Sequence, residues 1–447
     1  MKSFLQRIIL HGICTLIMAS LFYSLLWERD IPIVTCSELP HVLGDSCLVE
    51  CTARDDGSGI RSITAGIEQD GISHSLTNHF ISCRGTRNQS IRFPVDINHP
   101  GIHDGRARLI VRVRDYSLSK NVGTVSTPFV IDTTPPRVTL CNIPPLLRPG
   151  GASFVAYRLD ESPEKCGVLV NDHYFPSFSD TVNGETLYVT CFALPIDESL
   201  NASSIIINAE DKVGNIVRLP VEIAYEPMKN HRDDIFLSDY FFTSVIPRFI
   251  ASSLTADTPL SDSFRMINET LRAKNMETVS VLCRPFSPKR LWDGPFKTLD
   301  SAIVTGSFGD RRTYSYRNEF IGEGIHLGID YASVRHAPVT AANTGRVVYA
   351  APLGIFGNTV FIDHGWGLFT LYAHLSRILV HSHENVSKGT LIGYTGSTGM
   401  STGDHLHISM ILGGIFVDPQ SWFRHDGITS CIDRICTSLP SCPDKID

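Results

Sequence analysis

Arg106 to Asp115 reads RARLIVRVRD, and Ser203 to Asn215 reads SSIIINAEDKVGN. In the first stretch Ala107, Leu109, Val111 and Val113 alternate with arginines, apart from Ile110. That period of two places alternate side chains on one face of a strand, the apolar ones toward a core. Both stretches run into turns, RDYSLSKN at Arg114 to Asn121 and EDKVGN at Glu210 to Asn215. Asp, Asn and Gly suit turns because they hydrogen-bond locally or accept positive φ. A further β-like segment comes after each turn, STPFVID and VRLPVEIAY, giving an internal repeat of about 95 residues. The expected fold class is therefore mainly β, with two β-sandwiches in tandem over residues 31–133 and 134–226.

Between the copies lies IDTTPPRVTL, Ile131 to Leu140. Pro135 and Pro136 remove two amide donors, so strand pairing stops there. The D-T-T-P-P run resembles the junction between bacterial immunoglobulin-like domains, and ARDDGSGI, Ala53 to Ile60, resembles an early strand and turn of such domains. The resemblance implies immunoglobulin-like sandwiches acting as spacers, or as binders of the wall or of envelope protein partners. It says little about activity.

The chain has 447 residues, 43% hydrophobic and 19% charged, with a formal net charge of -7. No long Lys/Arg run offers a phosphate track, so nucleic acid is not an expected partner. Lys2 and Arg7 precede an uncharged run of twenty residues, Ile8 to Trp27. Such a run is long enough to span a bilayer as a helix. Residues 1–30 are thus expected to be a membrane anchor or an uncleaved signal. The chain would cross the inner (cytoplasmic) membrane once, with its N-terminus on the cytoplasmic side and its bulk periplasmic or extracytoplasmic. Eleven of the twelve cysteines come after this segment, from Cys36 to Cys442, without zinc-ribbon spacing. Disulfides in an oxidising compartment are the simplest expectation, with at least one thiol left over from an odd number.

Residues 227–299 read as a small helical connector. Thr258 and Pro259 make a helix start, and Phe264, Ile267 and Leu271 recur at helical spacing. The apolar segment IFLSDYFFTSVIPRF precedes them. The connector stands just before the last large domain and could cover its groove. From Asp300 onward short strands alternate with glycine-rich turns, to about residue 425, and a cysteine-containing tail occupies 426–447.

Nine of the seventeen histidines lie between Ile321 and His425. His326 and Asp330 frame HLGID, His374 sits in YAHL, and His405 and His407 frame HLH. Residues two or four apart share a face of an extended segment, so His326 with Asp330, and His405 with His407, can each converge. Two imidazoles and a carboxylate suit zinc, which in catalytic sites takes three protein ligands and keeps one position open. His381 and His383 form a second HxH in a polar stretch and read as a solvated loop. Similar low expectations attach to His336, His364 and His425, and Asp404 reads as a turn residue. No GxxxxGKS or strand-GxGxxG-helix pattern suggests a nucleotide.

HxxxD, then YAHL, then HLH after a glycine-rich stretch resembles the lysostaphin and LytM type of zinc endopeptidase. SFGDRRTY, PVTAANTGRVV, GNTVFIDHGWGLFTLYAHLS and VSKGTLIGYTGSTGMSTGDHLHISM fall in that family's order, over about 125 residues. The resemblance implies an antiparallel β-sheet domain at 300–425 with an open groove. It implies His326, Asp330 and His407 as ligands of one Zn2+, and His374 and His405 as catalytic histidines of undivided role. It implies hydrolysis of peptide cross-links or stem peptides of bacterial peptidoglycan by a metal-activated water. No HExxH glutamate is present, so a histidine must serve as the base. The contrasting possibility is a non-enzymatic regulator that activates another cell-wall hydrolase. Such relatives lose ligands, whereas all five residues are present here.

Overall fold

Alternating apolar residues become paired strands in the computed structural model, which describes residues 2–26, 28–142, 146–200, 205–228, 231–249 and 259–437. Two compact units form, Met1–Pro136 with Glu210–Ile216, and Arg137–Ala209 with Val217–Asp447. In the first unit eight strands are β1 (Ile33–Cys36), β2 (Val42–Leu43), β3 (Cys47–Arg54), β4 (Ile60–Gln69), β5 (Ile72–Phe80), β6 (Asn88–Val95), β7 (Gly105–Asp115) and β8 (Val122–Ile131). They make a three-stranded sheet, β1-β3-β6, and a five-stranded sheet, β2-β8-β7-β4-β5. Both contribute to one core: Val49, Cys51 and Phe93 from the first, Ile63, Leu109 and Val111 from the second. Ala107, Leu109, Val111 and Val113 are buried, as their alternation requires, while Ile110 on the other face is half-buried. Pairing ends at Ile131, and no strand includes Pro135 or Pro136.

Lys2–Leu26 forms a single helix. Among the described residues, however, no helix is long and apolar enough to cross a membrane. The expected transmembrane segment is therefore not supported. Trp27 lies outside the described residues. The disulfide expectation is met at one pair. Among the described residues one bridge forms, Cys36 to Cys51, between residues directly opposite in β1 and β3. Cys191 and Cys283 are instead buried in cores, where burial pushes both thiols up to about 12. Cys442 lies outside the described residues.

The second unit begins with β9 (Val138–Leu140), β10 (Ala152–Leu159), β11 (Lys165–Val170), β12 (His173–Pro176), β13 (Phe178–Val182), β14 (Glu185–Ala193), β15 (Ile205–Glu210) and β16 (Ile216–Pro220). Two four-stranded sheets result, β13-β14-β10-β9 and β12-β11-β15-β16. This pair of sheets packs directly on the C-terminal part of the chain. Phe178 stacks on Trp366 at 5.4 Å, and Trp292 meets Trp366 edge-on at the same distance. One continuous core runs from Phe154 and Val189 to Tyr372 and Ile408.

The connector is only partly helical. Its apolar segment opens with a strand, β17 (Arg232–Leu237), and then a π-helical turn at Phe241–Val245. A continuous helical run covers Leu260–Arg265, Met266–Leu271 and Arg272–Leu282, with a π-helical middle. Pro259 is the residue before that run rather than its first member, and Thr258 lies outside the described residues. Phe264 and Ile267 are buried, as their spacing predicts.

The last strands are β18 (Ile303–Gly306), β19 (Arg311–Tyr316), β20 (Glu319–Ile325), β21 (Ile329–Ala332), β22 (Pro338–Thr340), β23 (Gly345–Pro352), β24 (Asn358–Asp363), β25 (Leu368–Leu375), β26 (Arg377–Ile378), β27 (Asn385–Val386), β28 (Leu391–Tyr394), β29 (Leu406–Leu412) and β30 (Ile415–Val417). The main sheet runs β18-β21-β29-β25-β24-β23-β27, with β30 also on β29. Smaller sheets are β17-β19-β20 and β22-β28-β26. Every residue of β25 and β29 is buried. Leu368, Tyr372, Ile408 and Met410 join the core shared with the second pair of sheets. Phe369, Leu371 and Ile411 face a separate core that includes the connector's Phe241, Phe264 and Val279. A sheet covered on both faces needs apolar residues at successive positions, which is why LFTLYAHL and LHISMIL lack simple alternation. The tail forms a further helix, Ile428–Thr437, with Ile428 and Ile432 buried.

His364, at the turn from β24 to β25, is fully buried. Its Nδ1–H donates to the Thr344 carbonyl at 2.8 Å, and Nε2 faces Thr370 Oγ1 at 2.7 Å. Burial lowers its pKa to about 4. An unfolded histidine titrates near 6.5. Between these values the unfolded chain holds a proton that the folded chain lacks, so stability falls as pH drops through that window, by ~3 kcal/mol in total. His364→Gln is expected to reduce the drop in thermal midpoint between pH 7 and pH 4.5, measured by scanning calorimetry.

Candidate metal centre and groove

Three elements deliver three donors to one point. His326 comes just after β20, Asp330 lies in β21 and His407 in β29, where Asp330 and His407 are direct partners across the sheet. His326 Nε2 is 3.0 Å from Asp330 Oδ1 and 3.0 Å from His407 Nδ1. His407 Nδ1 is 2.8 Å from Asp330 Oδ1. All three residues are buried. Gly328 allows this approach, because a Cβ there would stand 2.6 Å from His407 Cε1 and 2.6 Å from the Ile408 carbonyl oxygen.

The proton positions test whether a cation fits. His326 Nδ1 is 2.8 Å from the Ser307 carbonyl, which can only accept. Nδ1 therefore carries the hydrogen, and in the neutral ring Nε2 presents a lone pair. His407 Nε2 lies 2.9 Å from Ser409 Oγ, which can accept from it and leave Nδ1 as the lone-pair atom. Two imidazole lone pairs and a carboxylate oxygen thus converge, and these three residues form a group able to hold a metal ion. The donor set and its partners fit zinc.

Asp330 stays ionised. Burial alone would raise its pKa, and the Arg312 guanidinium beside it favours the carboxylate form. Its second oxygen, Oδ2, accepts from Arg312 Nη2 at 2.9 Å. Arg312 therefore orients the carboxylate, a contact that the sequence motifs did not reveal. Strand alternation in RRTYSY, starting from the burial of Tyr314, would have placed Arg312 on the same side.

His374 and His405 stand beside this triad. Their rings are 4.8 Å apart, and His374 is 5.9 Å from His407. His405 Nε2 is 3.7 Å from Asp330 Oδ1. His374 has φ of +61°, in the left-handed region that disfavours side chains bearing Cβ. The pairing of β24 with β25 shifts register between Asn358 and Val360, opposite this residue. Such an irregularity re-aims a side chain at a sheet margin. His374 Nδ1–H donates to the Thr398 carbonyl at 2.8 Å, leaving Nε2 as an acceptor. Burial, aided by the nearby His405 and His407, holds its pKa well below the ordinary histidine value.

All five residues singled out from the sequence are thus brought together. The others are not. Asp404 Oδ1 accepts from Thr395 Oγ1 at 2.5 Å and from the His336 amide at 3.3 Å, so it braces a turn. His381 and His383 lie exposed in the loop between β26 and β27, and His425 is exposed as well. The groove beside the triad has a volume of about 420 Å³. Its walls include Asp233, Ile235, Phe241 and Arg272 of the connector. The connector therefore forms a side of the groove.

Residues 324–419 match the model of Peptidase family M23, and this region is an M23 domain of LytM type. Among similar proteins is the DD-carboxypeptidase/endopeptidase Mpg of Neisseria meningitidis serogroup B, 44% identical over 97 residues, which are 22% of each chain. Peptidoglycan DD-endopeptidase ShyA of Vibrio cholerae is 43% identical over 111 residues, 25% of each chain. The likeness thus spans a quarter or less of these relatives. The solved catalytic domain of the peptidase lysostaphin from Staphylococcus simulans is 28% identical, over 28% of this chain and 94% of that one, with a TM-score of 0.24.

The carbonyls of Ser307 and Thr398 dictate one tautomer at two histidines. Nitrogen-15 spectra at pH 7 are expected to show His326 and His374 as Nδ1–H tautomers, with His374 still neutral at pH 6. An Nε2–H tautomer at either would contradict this geometry.

Proposed function

We propose that this protein is a zinc metalloendopeptidase acting on peptide cross-links or stem peptides of peptidoglycan. The observation that carries the proposal is the convergence of His326 Nε2, His407 Nδ1 and Asp330 Oδ1, with His374 and His405 at its edge. Named peptidoglycan endopeptidases among the relatives support the substrate class. His326, Asp330 and His407 would hold the zinc, and Arg312 would keep the carboxylate aligned. Bound zinc would supply Lewis acidity and a water whose pKa falls to about 7.

The remaining chemistry belongs to the two histidines. His374 stays neutral, and its Nε2 faces inward because Thr398 holds Nδ1–H. It is suited to take a proton from water. His405 Nδ1 is 3.0 Å from the Gly403 carbonyl, while Nε2 lies on the side of Asp330. The proton that His374 takes from water can then pass from its Nε2 to the leaving amine, with His405 lining the same edge of the site. The buried walls around His374 limit competing water.

Export to an oxidising compartment is part of the proposal, supported by the Cys36–Cys51 bridge. A membrane-spanning anchor is not. We read both two-sheet modules as immunoglobulin-like, the first serving as spacer or as a binder of envelope proteins.

Incubation of the whole chain with purified peptidoglycan, read by mass spectrometry, tests the proposal. The wild type is expected to contain about one zinc per chain and to release newly split peptides. His374→Gln should keep the metal and lose cleavage by about a hundredfold or more. His326→Gln should lose both metal and cleavage. If the wild type holds zinc and splits no peptidoglycan, the regulator reading replaces the enzyme.

A further inference from the structure

The groove contains a cation that the proposed chemistry does not use. Arg272 begins the last segment of the connector's helical run and lines the groove with the triad. Its Nε donates to the Asn268 carbonyl at 3.2 Å and its Nη2 to Asn268 Oδ1 at 3.0 Å. Asn268 is itself fixed, since its Nδ2 donates to the Glu323 carbonyl at 2.7 Å. The guanidinium is therefore held rigidly against β20. Nη2 also reaches Met400 Sδ at 4.0 Å, and Met400 lies two residues after Thr398, whose carbonyl holds His374.

No carboxylate is paired with Arg272 among the described residues. The other charged groups lining the groove are Asp233, Asp330, Arg312 and Asp404, besides the histidines. Asp330 is taken by Arg312, and Asp404 by Thr395 and the His336 amide. Burial lowers the pKa of Arg272 from its ordinary value; the neighbouring Tyr314 hydroxyl acts the other way, and Arg312 adds repulsion. A partly desolvated guanidinium beside a second one is costly unless an anion completes it. A rigid planar fork matches a carboxylate better than any other group on a peptide.

We propose that Arg272 is a specificity-determining residue that binds a free carboxylate of the substrate near the bond to be cut. This deepens the peptidase proposal and rests on it. The preferred substrates are then peptides with an ionised carboxyl close to the scissile amide, and amidation of that carboxyl weakens binding. Arg272 lies outside residues 324–419, so this selectivity would come from the connector rather than from the M23 domain.

The test uses the full chain and two probes, a cross-linked peptide dimer released from peptidoglycan and the same dimer with its carboxyls amidated. Dissociation constants for both are measured by calorimetry on the chain stripped of metal. The wild type should bind the free-carboxylate dimer about tenfold or more tightly than the amide. In Arg272→Gln that ratio should fall to about one. In Arg265→Gln, an exposed arginine on the same helical run, it should stay at the wild-type value. Arg272→Lys keeps charge without the fork and should retain only part of the preference, which decides the matter if Arg272→Gln does not fold. A wild-type ratio near one, or a ratio unchanged in both Arg272 variants, overturns the proposal. Cleavage of the free dimer by the zinc-loaded wild type is monitored separately. Selective binding without cleavage would sink the peptidase reading and leave the carboxylate site standing.

Discussion

The hydrogen bond from His326 Nδ1 to the Ser307 carbonyl governs the rest of the site. It decides which nitrogen of His326 is bare, and so turns a crowd of polar side chains into a set of donors. Without an intervening cation, a bare imidazole nitrogen facing a carboxylate oxygen at 3.0 Å is repulsive. The fold holds these groups together because they sit on neighbouring, buried backbone. Asp330 and His407 are locked by the β21–β29 ladder, and Gly328 lets the intervening turn close over the His407 ring. Arg312 completes the arrangement from outside by occupying the second carboxylate oxygen.

The sheet beneath the site is unusual in needing cover on both faces. One face is closed by the second pair of sheets, whose Phe178 stacks on Trp366 beside Trp292. The other is closed by the connector through Phe241 and Phe264. Those two additions do different work. The first is packing, in which aromatic stacks bind two modules into one core. The second also lines the groove, so the segment that buries the sheet shapes what reaches the metal centre.

Much of this was legible in sequence where the signal is periodic or clustered. RARLIVRVRD declared its strand by alternation, and the five site residues declared themselves by ordered motifs. The features that were not legible depend on backbone or on long-range contact. The carbonyls of Ser307 and Thr398 have no side-chain signature. The positive φ of His374 arises from an irregular pairing with β24, which spacing cannot reveal. Arg312 was hidden by its neighbour Arg311 in the same motif. The connector misled in another way: IFLSDYFFTSVIPRF is apolar at both strand and helix periods, and the edge of β19 captured its first three residues in a parallel strand. Cysteine number suggested bridges without their connectivity; one forms among the described residues, while Cys191 and Cys283 serve as small apolar core residues. The long N-terminal run was read by length and lack of charge, whereas among the described residues no helix is long and apolar enough to cross a membrane.

Crystals of the full chain grown with zinc, and diffraction data collected on both sides of the zinc absorption edge, examine the central claim directly. The expected result is one anomalous peak at about 2.0–2.2 Å from His326 Nε2, His407 Nδ1 and Asp330 Oδ1, with His374 and His405 outside bonding distance. No peak among these three atoms, or a peak held by His374 and His405 instead, would contradict it.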